Sequence, residues 1–291
     1  MGRILPEVKY ETYIEYNPQA VANSEAALLT LWPVLEPWQD DLVLVGGLVP
    51  RYICGDVASA RELPRPVTMD ADFGIALGAS AGGMSSLKMA LADAQFRQSK
   101  SAEGLVRYEK QVGQFSVPVD FLTDAPPSTH GSVVVDDIIA NVLPGIDRAL
   151  KIARLTKISG TDLAGHTQSA MVRVCEAGPF LAMKLRAFAW RQASKDAFDI
   201  LYTLRHYDRG TNAAVAAFGD EVRASNPASA DAVACLNQHF RDEQATAPVR
   251  AASFVLGQSG PGESEDIRLR RLQIQQDMVD AGALLRKAIP A

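Results

Sequence analysis

The chain has 291 residues, 47 % of them apolar, with 29 Lys and Arg against 34 Asp and Glu and a net charge of −5. That composition excludes a disordered or fibrous chain, and the length suits one large domain or two modest ones. The mildly acidic balance excludes nucleic-acid binding by bulk charge, though not by a local basic site. Cys54, Cys175 and Cys235 stand far apart, without metal-ligand spacing, and are expected as buried thiols in a reducing compartment. Residues 1–7 lack the apolar region of a secretory signal, and no apolar run approaches the ~20 residues that cross a bilayer. A soluble, cytoplasmic protein with no membrane partner is therefore expected.

In chain order, residues 20–35 carry Ala26, Ala27, Leu28, Leu31 and Trp32 at helical spacing, with Pro33 and Pro37 marking the end. Residues 41–47 form a short apolar strand closed by Gly46 and Gly47, and a helix is expected to start over 48–54. Residues 55–66 read as a loop, and 67–77 as a second strand containing Asp70 and Asp72. A small-residue loop follows over 78–83, then a helix over 85–96. Residues 105–109 and 114–122 make a hairpin around Gly113, with Asp120 in its second strand. Pro118 cannot donate to a ladder, which predicts an edge position or a bulge there. After an irregular loop over 124–131, residues 132–176 are mixed, with strands expected over 149–158 and 171–175. The pattern changes at Ala177-Gly178-Pro179. Helices are expected over 180–207, 212–224, 228–240 and 263–288.

Three carboxylates carry the chemistry. Successive strand residues face opposite ways, so Asp70 and Asp72 share one face, while Met69, Ala71, Phe73, Ile75 and Leu77 take the other. By the same alternation Phe115, Val117, Val119 and Phe121 share a face, and Asp120 lies opposite with Ser116 and Pro118. Folding alone gives no reason to set like charges side by side, whereas a divalent cation does. Three such carboxylates converging suit two Mg²⁺ ions, one for a triphosphate and one for an attacking hydroxyl. The Gly46-Gly47 turn exposes backbone N–H groups to which a phosphate can come close. It fits neither the P-loop nor the dinucleotide fingerprint, since Leu48, Val49 and Pro50 follow.

A glycine pair closing a strand, an Asp-x-Asp pair and a later single Asp resemble the polymerase-β-like nucleotidyltransferase superfamily. The resemblance implies an α+β, nucleotidyltransferase-fold mixed sheet with flanking helices over residues 1–177. A mainly helical domain over 178–291 would cover the nucleotide site. It implies that Gly46 and Gly47 contact a nucleoside triphosphate and that Asp70 and Asp72 bind metal. Asp120 completes the metal site or acts as a base. Lys184, Arg191, Lys195, Asp196 and Asp199 match the AbiEii-type nucleotidyltransferases, the toxin component of type IV toxin–antitoxin systems. On one continuous helix Lys184, Arg191 and Lys195 fall at i, i+7 and i+11, along a stripe able to present cations to β- and γ-phosphates. Lys195 and Asp199 are also in reach of each other at i, i+4. Lys184 and Asp196 then count as catalytic, and whether Asp196 orients Lys195 or a substrate hydroxyl stays open.

The expected reaction is transfer of NMP from an NTP to an acceptor hydroxyl. The acceptor is a tRNA 3′ end, a small molecule or a protein hydroxyl, and a cognate antitoxin is a further partner implied by the family. Two rival readings are a small-molecule, antibiotic-modifying nucleotidyltransferase and a noncatalytic nucleotide-binding regulatory module. This sequence departs from the superfamily pattern in Leu48, where many members have serine, in a long loop between Gly47 and Asp70, and in Pro118. The remaining features are read as background. His130 is expected to be solvated, His166, His206 and His239 lack companions at metal-ligand spacing, and Trp32, Trp38 and Trp190 are read as packing residues.

Overall fold

The structure is a computed structural model. It describes residues 10–55, 63–80, 86–101, 104–127 and 130–290. Residues 1–7, most of the expected 55–66 loop and part of the 78–83 loop lie outside the described residues, as do positions 85, 128 and 129. The chain is α+β, with a mixed sheet and a helical C-terminal region, and it divides into two compact units.

The first unit contains Asn17–Tyr52 and Val67–Glu176. It holds helix α1 (Pro18–Val34), strand β1 (Leu42–Val45), all but the last residue of the short helix α2 (Pro50–Ile53), β2 (Ala71–Ile75) and α3 (Leu87–Asp93). Strands β3 (Arg97–Lys100), β4 (Val106–Val112), β5 (Phe115–Thr123), β6 (Ser132–Val135) and β7 (Ile138–Val142) follow, then α4 (Ile146–Lys151) and the hairpin β8 (Ala153–Thr161)–β9 (Thr167–Cys175). Among the described residues these strands form one sheet in the order β3-β4-β5-β2-β1-β9-β8, with β7 joining β5 and β6 joining β7. Helix α1 starts where the Asn17 side chain caps the N–H groups of Gln19 and Ala20, with Pro18 at the first position.

Strand β1 is buried along its whole length, as an apolar run between two neighbours requires. Strand β2 begins at Ala71, so Asp70 lies one residue ahead of it, and Leu77 is exposed in the turn beyond its end. The longer strand expected over 67–77 is thus shortened at both ends. Strand β5 is interior rather than at an edge. Pro118 is nonetheless accommodated, because it pairs with Glu109 of β4 and the pairing with β2 starts only at Val119. At Pro118 the strand has one neighbour in the ladder, so a missing N–H on the other side breaks no bond.

The apolar faces of β2 and β5 set their register. Trp32 of α1 stacks on Phe73, Phe73 on its strand neighbour Phe121, and Tyr108 meets Phe121 edge-on, with centroids 6.2, 5.7 and 5.7 Å apart. Each such pair adds about 0.5–1.5 kcal/mol beyond its area burial. A slip by one residue would turn this aromatic row out of the core. On the other face Gly74 lets α4 approach: a Cβ there would stand 2.8 Å from Val43 Cγ1 and 3.1 Å from Ile146 Cγ2. Since Phe73 and Gly74 face opposite ways, α1 and α4 cover opposite faces of the sheet.

The second unit comprises the described parts of Val8–Tyr16, Ile53–Pro66 and Ala177–Ala291. Its helices are α5 (Ala177–Arg191), α6 (Ser194–His206), α7 (Thr211–Arg223), α8 (Ser229–His239), α9 (Thr246–Leu256) and α10 (Glu265–Lys287). The single helix expected over 180–207 is two, broken at Gln192 and Ala193. Gln192 takes φ +49° and Ala193 is extended. Helix α9, over a stretch the periodicity left unassigned, packs on α6 and α10. Its Phe254 joins Tyr13, Tyr16 and Phe198 in an aromatic cluster. Trp32 and Trp38 are buried, but Trp190 is 83 % exposed and so is not a packing residue within this chain. No helix among the described residues is long and apolar enough to cross a membrane.

Candidate metal centre

Asp72 and Asp120 are direct neighbours on the parallel strands β2 and β5. Their apolar counterparts, Phe73 and Phe121, are neighbours on the reverse face, so the stacking that pins the core also sets the two carboxylates side by side. Asp70 comes from the segment just before β2. The buried Ser24 hydroxyl of α1 donates toward the Thr68 carbonyl at 3.1 Å, and the Thr68 hydroxyl donates to Asp70 Oδ1. One helix residue thereby anchors the backbone that carries the first carboxylate. Ligand oxygens of Asp70, Asp72 and Asp120 all lie within 4.8 Å of one another, and the three residues are half-buried.

Gly46 completes this arrangement. It follows β1 in the turn Gly46–Leu48 with φ +69°, next to Val45, which pairs with Asp72. An added Cβ would stand 1.7 Å from Asp72 Oδ2. The glycine is therefore required twice, for a left-handed backbone and for the room a carboxylate occupies. Gly47 is buried in the same turn, and α2 beyond it is only four residues long. An ion pair between Arg51 of α2 and Glu25 of α1 ties that short helix down.

Arg107 belongs to the cluster although the motif reading passed over it. It lies on β4 one step beyond the Tyr108–Val119 pair, where it faces Asp120. Its Nε donates to Asp120 Oδ1 at 3.3 Å and its Nη2 to Oδ2 at 3.1 Å. The signal was present in the sequence: counting back from a two-residue turn at Gly113-Gln114 pairs position 107 with 120.

The donor set fits a hard divalent cation. Three carboxylates gathered at this spacing repel one another, and Mg²⁺ takes such oxygens with water and phosphate completing its shell. Asp70, Asp72 and Asp120 are the residues that would hold it.

The cations expected to face phosphates form a separate group in the helical unit. Arg191 grips Asp196 with Nε–Oδ2 2.6 Å and Nη2–Oδ1 2.8 Å. Lys184 Nζ bridges Asp196 Oδ1 at 3.0 Å and Asp199 Oδ2 at 2.8 Å, and Lys195 Nζ meets Asp199 Oδ2 at 2.6 Å. Arg191, Asp196, Lys184, Asp199 and Lys195 thus alternate in sign along one chain of ion pairs. Asp196 sits in the first turn of α6, where the helix dipole favours a carboxylate. Burial pulls the Lys184 ammonium down in pKa, but Asp199 and Asp196 more than offset it, so it is raised above an ordinary lysine. Both carboxylates and Lys195 are buried, whereas the Arg191 side chain keeps 27 % exposure. The continuous stripe at i, i+7 and i+11 does not exist, because the break at 192–193 interrupts it. The residues meet instead across two helices.

Of the histidines, His239 is buried and its pKa is lowered by burial and by Arg241. Cys175 and Cys235 are buried as expected, and burial pushes the Cys235 thiol up to about 12. Cys54 is half-buried. Comparison with protein-family models, with curated proteins and with solved structures gave no match.

Proposed function

We propose that the chain is a Mg²⁺-dependent nucleotidyltransferase of the polymerase-β-like kind, resembling the AbiEii-type enzymes. The observation that carries this reading is the meeting of Asp70, Asp72 and Asp120 within 4.8 Å, beside a glycine turn that leaves room for Asp72. When bound, two Mg²⁺ ions neutralise triphosphate oxygens and lower the pKa of an attacking hydroxyl.

The chain's own residues have distinct parts in this scheme. Asp70, held by Thr68, and Asp72, seated on Gly46, are ligands on one side of the site. Asp120 is assigned as a ligand rather than a base, because both its oxygens already accept from Arg107. The backbone of Gly46 and Gly47 is the proposed contact to the triphosphate. In the helical unit Arg191 is the most exposed of the three cations in the ion-pair chain. Asp196 orients it, while Lys184, Lys195 and Asp199 hold Asp196 and one another in place. In the reaction the acceptor hydroxyl gives up its proton to solvent water, its oxygen bonds to the α-phosphorus, the bond from that phosphorus to the bridging oxygen of the β-phosphate breaks, and pyrophosphate leaves. The acceptor is a tRNA 3′ end, a small molecule or a protein hydroxyl; a cognate antitoxin belongs to the same family-based reading.

The test is incubation with each α-labelled NTP, Mg²⁺ and total cellular RNA, beside an Asp70→Ala control. Label in RNA and released pyrophosphate are expected with the wild-type chain and not with the variant. Equal labelling by both refutes the role of Asp70. Pyrophosphate release that needs an added small-molecule hydroxyl instead of RNA would move the acceptor to that class.

A further inference from the structure

A guanidinium inside a cation site needs a reason, because it repels the ion the site is built to hold. Arg107 is 11 % exposed and Asp120 15 %, so the pair is shielded from solvent and its charges are felt at short range. The two N–H···O bonds are a forked arrangement, which sets the plane of the carboxylate as well as its position. Each of the other two carboxylates has a support of its own. Asp70 has the Thr68 hydroxyl and Asp72 has the wall of Gly46, both close in the chain or on an adjoining turn. The three carboxylates and Arg107 together carry a formal charge of −2, which one divalent cation matches before a triphosphate brings the charge for a second.

We propose that Arg107 is a positioning residue and resident counter-ion of the acidic cluster: it holds Asp120 in place and offsets its charge, so that a divalent cation binds against it. This rests on the reading of Asp70, Asp72 and Asp120 as a cation site. It has a consequence that a purely structural arginine lacks. Removing the charge tightens cation binding, while removing the fork loosens Asp120 and slows turnover. A residue needed only for folding would weaken both together.

The experiment measures Mn²⁺ binding by the full chain without nucleotide, by calorimetry, and the melting temperature with and without Mn²⁺. Wild type and Asp72→Asn establish the site: binding by the first and not the second is required. If the two bind alike, the cation site falls and the proposal with it. Arg107→Gln is then expected to bind Mn²⁺ about tenfold more tightly than wild type, since a unit charge near a divalent ion is lost. Its melting temperature should also rise more on adding Mn²⁺. Arg107→Lys keeps the charge without the fork, so its Mn²⁺ affinity should stay within about threefold of wild type. Binding by Arg107→Gln that is equal to or weaker than wild type overturns the proposal. If that variant yields no folded chain, Arg107→Lys decides, and an affinity more than about threefold below wild type overturns it. Nucleotidyl transfer at saturating Mn²⁺ should fall in both variants. Tightened Mn²⁺ binding in a chain whose wild type transfers no nucleotide supports Arg107 as counter-ion and refutes the enzymatic reading alone.

Discussion

Replacing Gly46 by alanine separates the two reasons for a glycine at that position. At φ +69° an L side chain costs about 1–2 kcal/mol. The new methyl would also lie 1.7 Å from Asp72 Oδ2, 2.5 Å from its Cγ and 2.8 Å from its Cβ. Rotating the carboxylate clears the first two contacts. The third is fixed to the backbone of β2, so the β1–β2 pair must shift. Overpacking of this sort costs about 1–3 kcal/mol, and the whole substitution is expected to cost about 2–5 kcal/mol. Asp72→Gly removes the whole side chain, the Cβ included. In that background Gly46→Ala should cost only the backbone term of about 1–2 kcal/mol, leaving a coupling of about 1–3 kcal/mol between the two positions. Urea unfolding of the wild type, both single variants and the double variant measures the cycle. An equal cost in both backgrounds refutes the argument that Gly46 exists to seat Asp72. A cost of Gly46→Ala below about 0.5 kcal/mol in the wild type refutes the backbone argument as well.

Two further outcomes follow from buried contacts. Lys184→Met should lower stability at pH 7 by about 3–5 kcal/mol, because Asp196 and Asp199 lose a buried cation between them. The folded-state pKa of Lys184 is raised, so its contribution is complete below the unfolded lysine value of about 10.4 and fades as pH climbs through the folded value. Urea midpoints should therefore decline more steeply for wild type than for Lys184→Met above about pH 10, and parallel declines refute the pairing. Gly74→Ala should cost about 1–3 kcal/mol through contact with Val43 and Ile146, and an unchanged melting temperature would show that α4 is not packed there.

Much of the first unit could be read from local pattern. Four apolar residues with a glycine pair after them announced β1 and its turn, and alternation in β5 put Asp120 opposite Val119 and Phe121. Arg107 was legible too, through the hairpin count, but a motif search looks for carboxylates and not for their counter-ion. The break between α5 and α6 left no such mark. Gln192 takes a left-handed conformation without being Gly or Asn, so its residue type does not announce the bend. Tertiary packing overrides propensity there, as the buried ion pairs reward the bend.

Residue order alone determined the alternation of faces, the turns that need glycine and the helix periodicity, because these depend on neighbours a few bonds apart. It did not decide that β5 lies parallel beside β2, or that Lys184 reaches back to Asp196 and Asp199 of the next helix. Those are choices among distant segments. They are settled by which apolar faces stack, here Phe73 on Phe121, and by which buried charges find an opposite sign. The acidic cluster is the product of both levels: the strand pattern turns each aspartate to the polar face, and the packing of the opposite face brings Asp72 and Asp120 together.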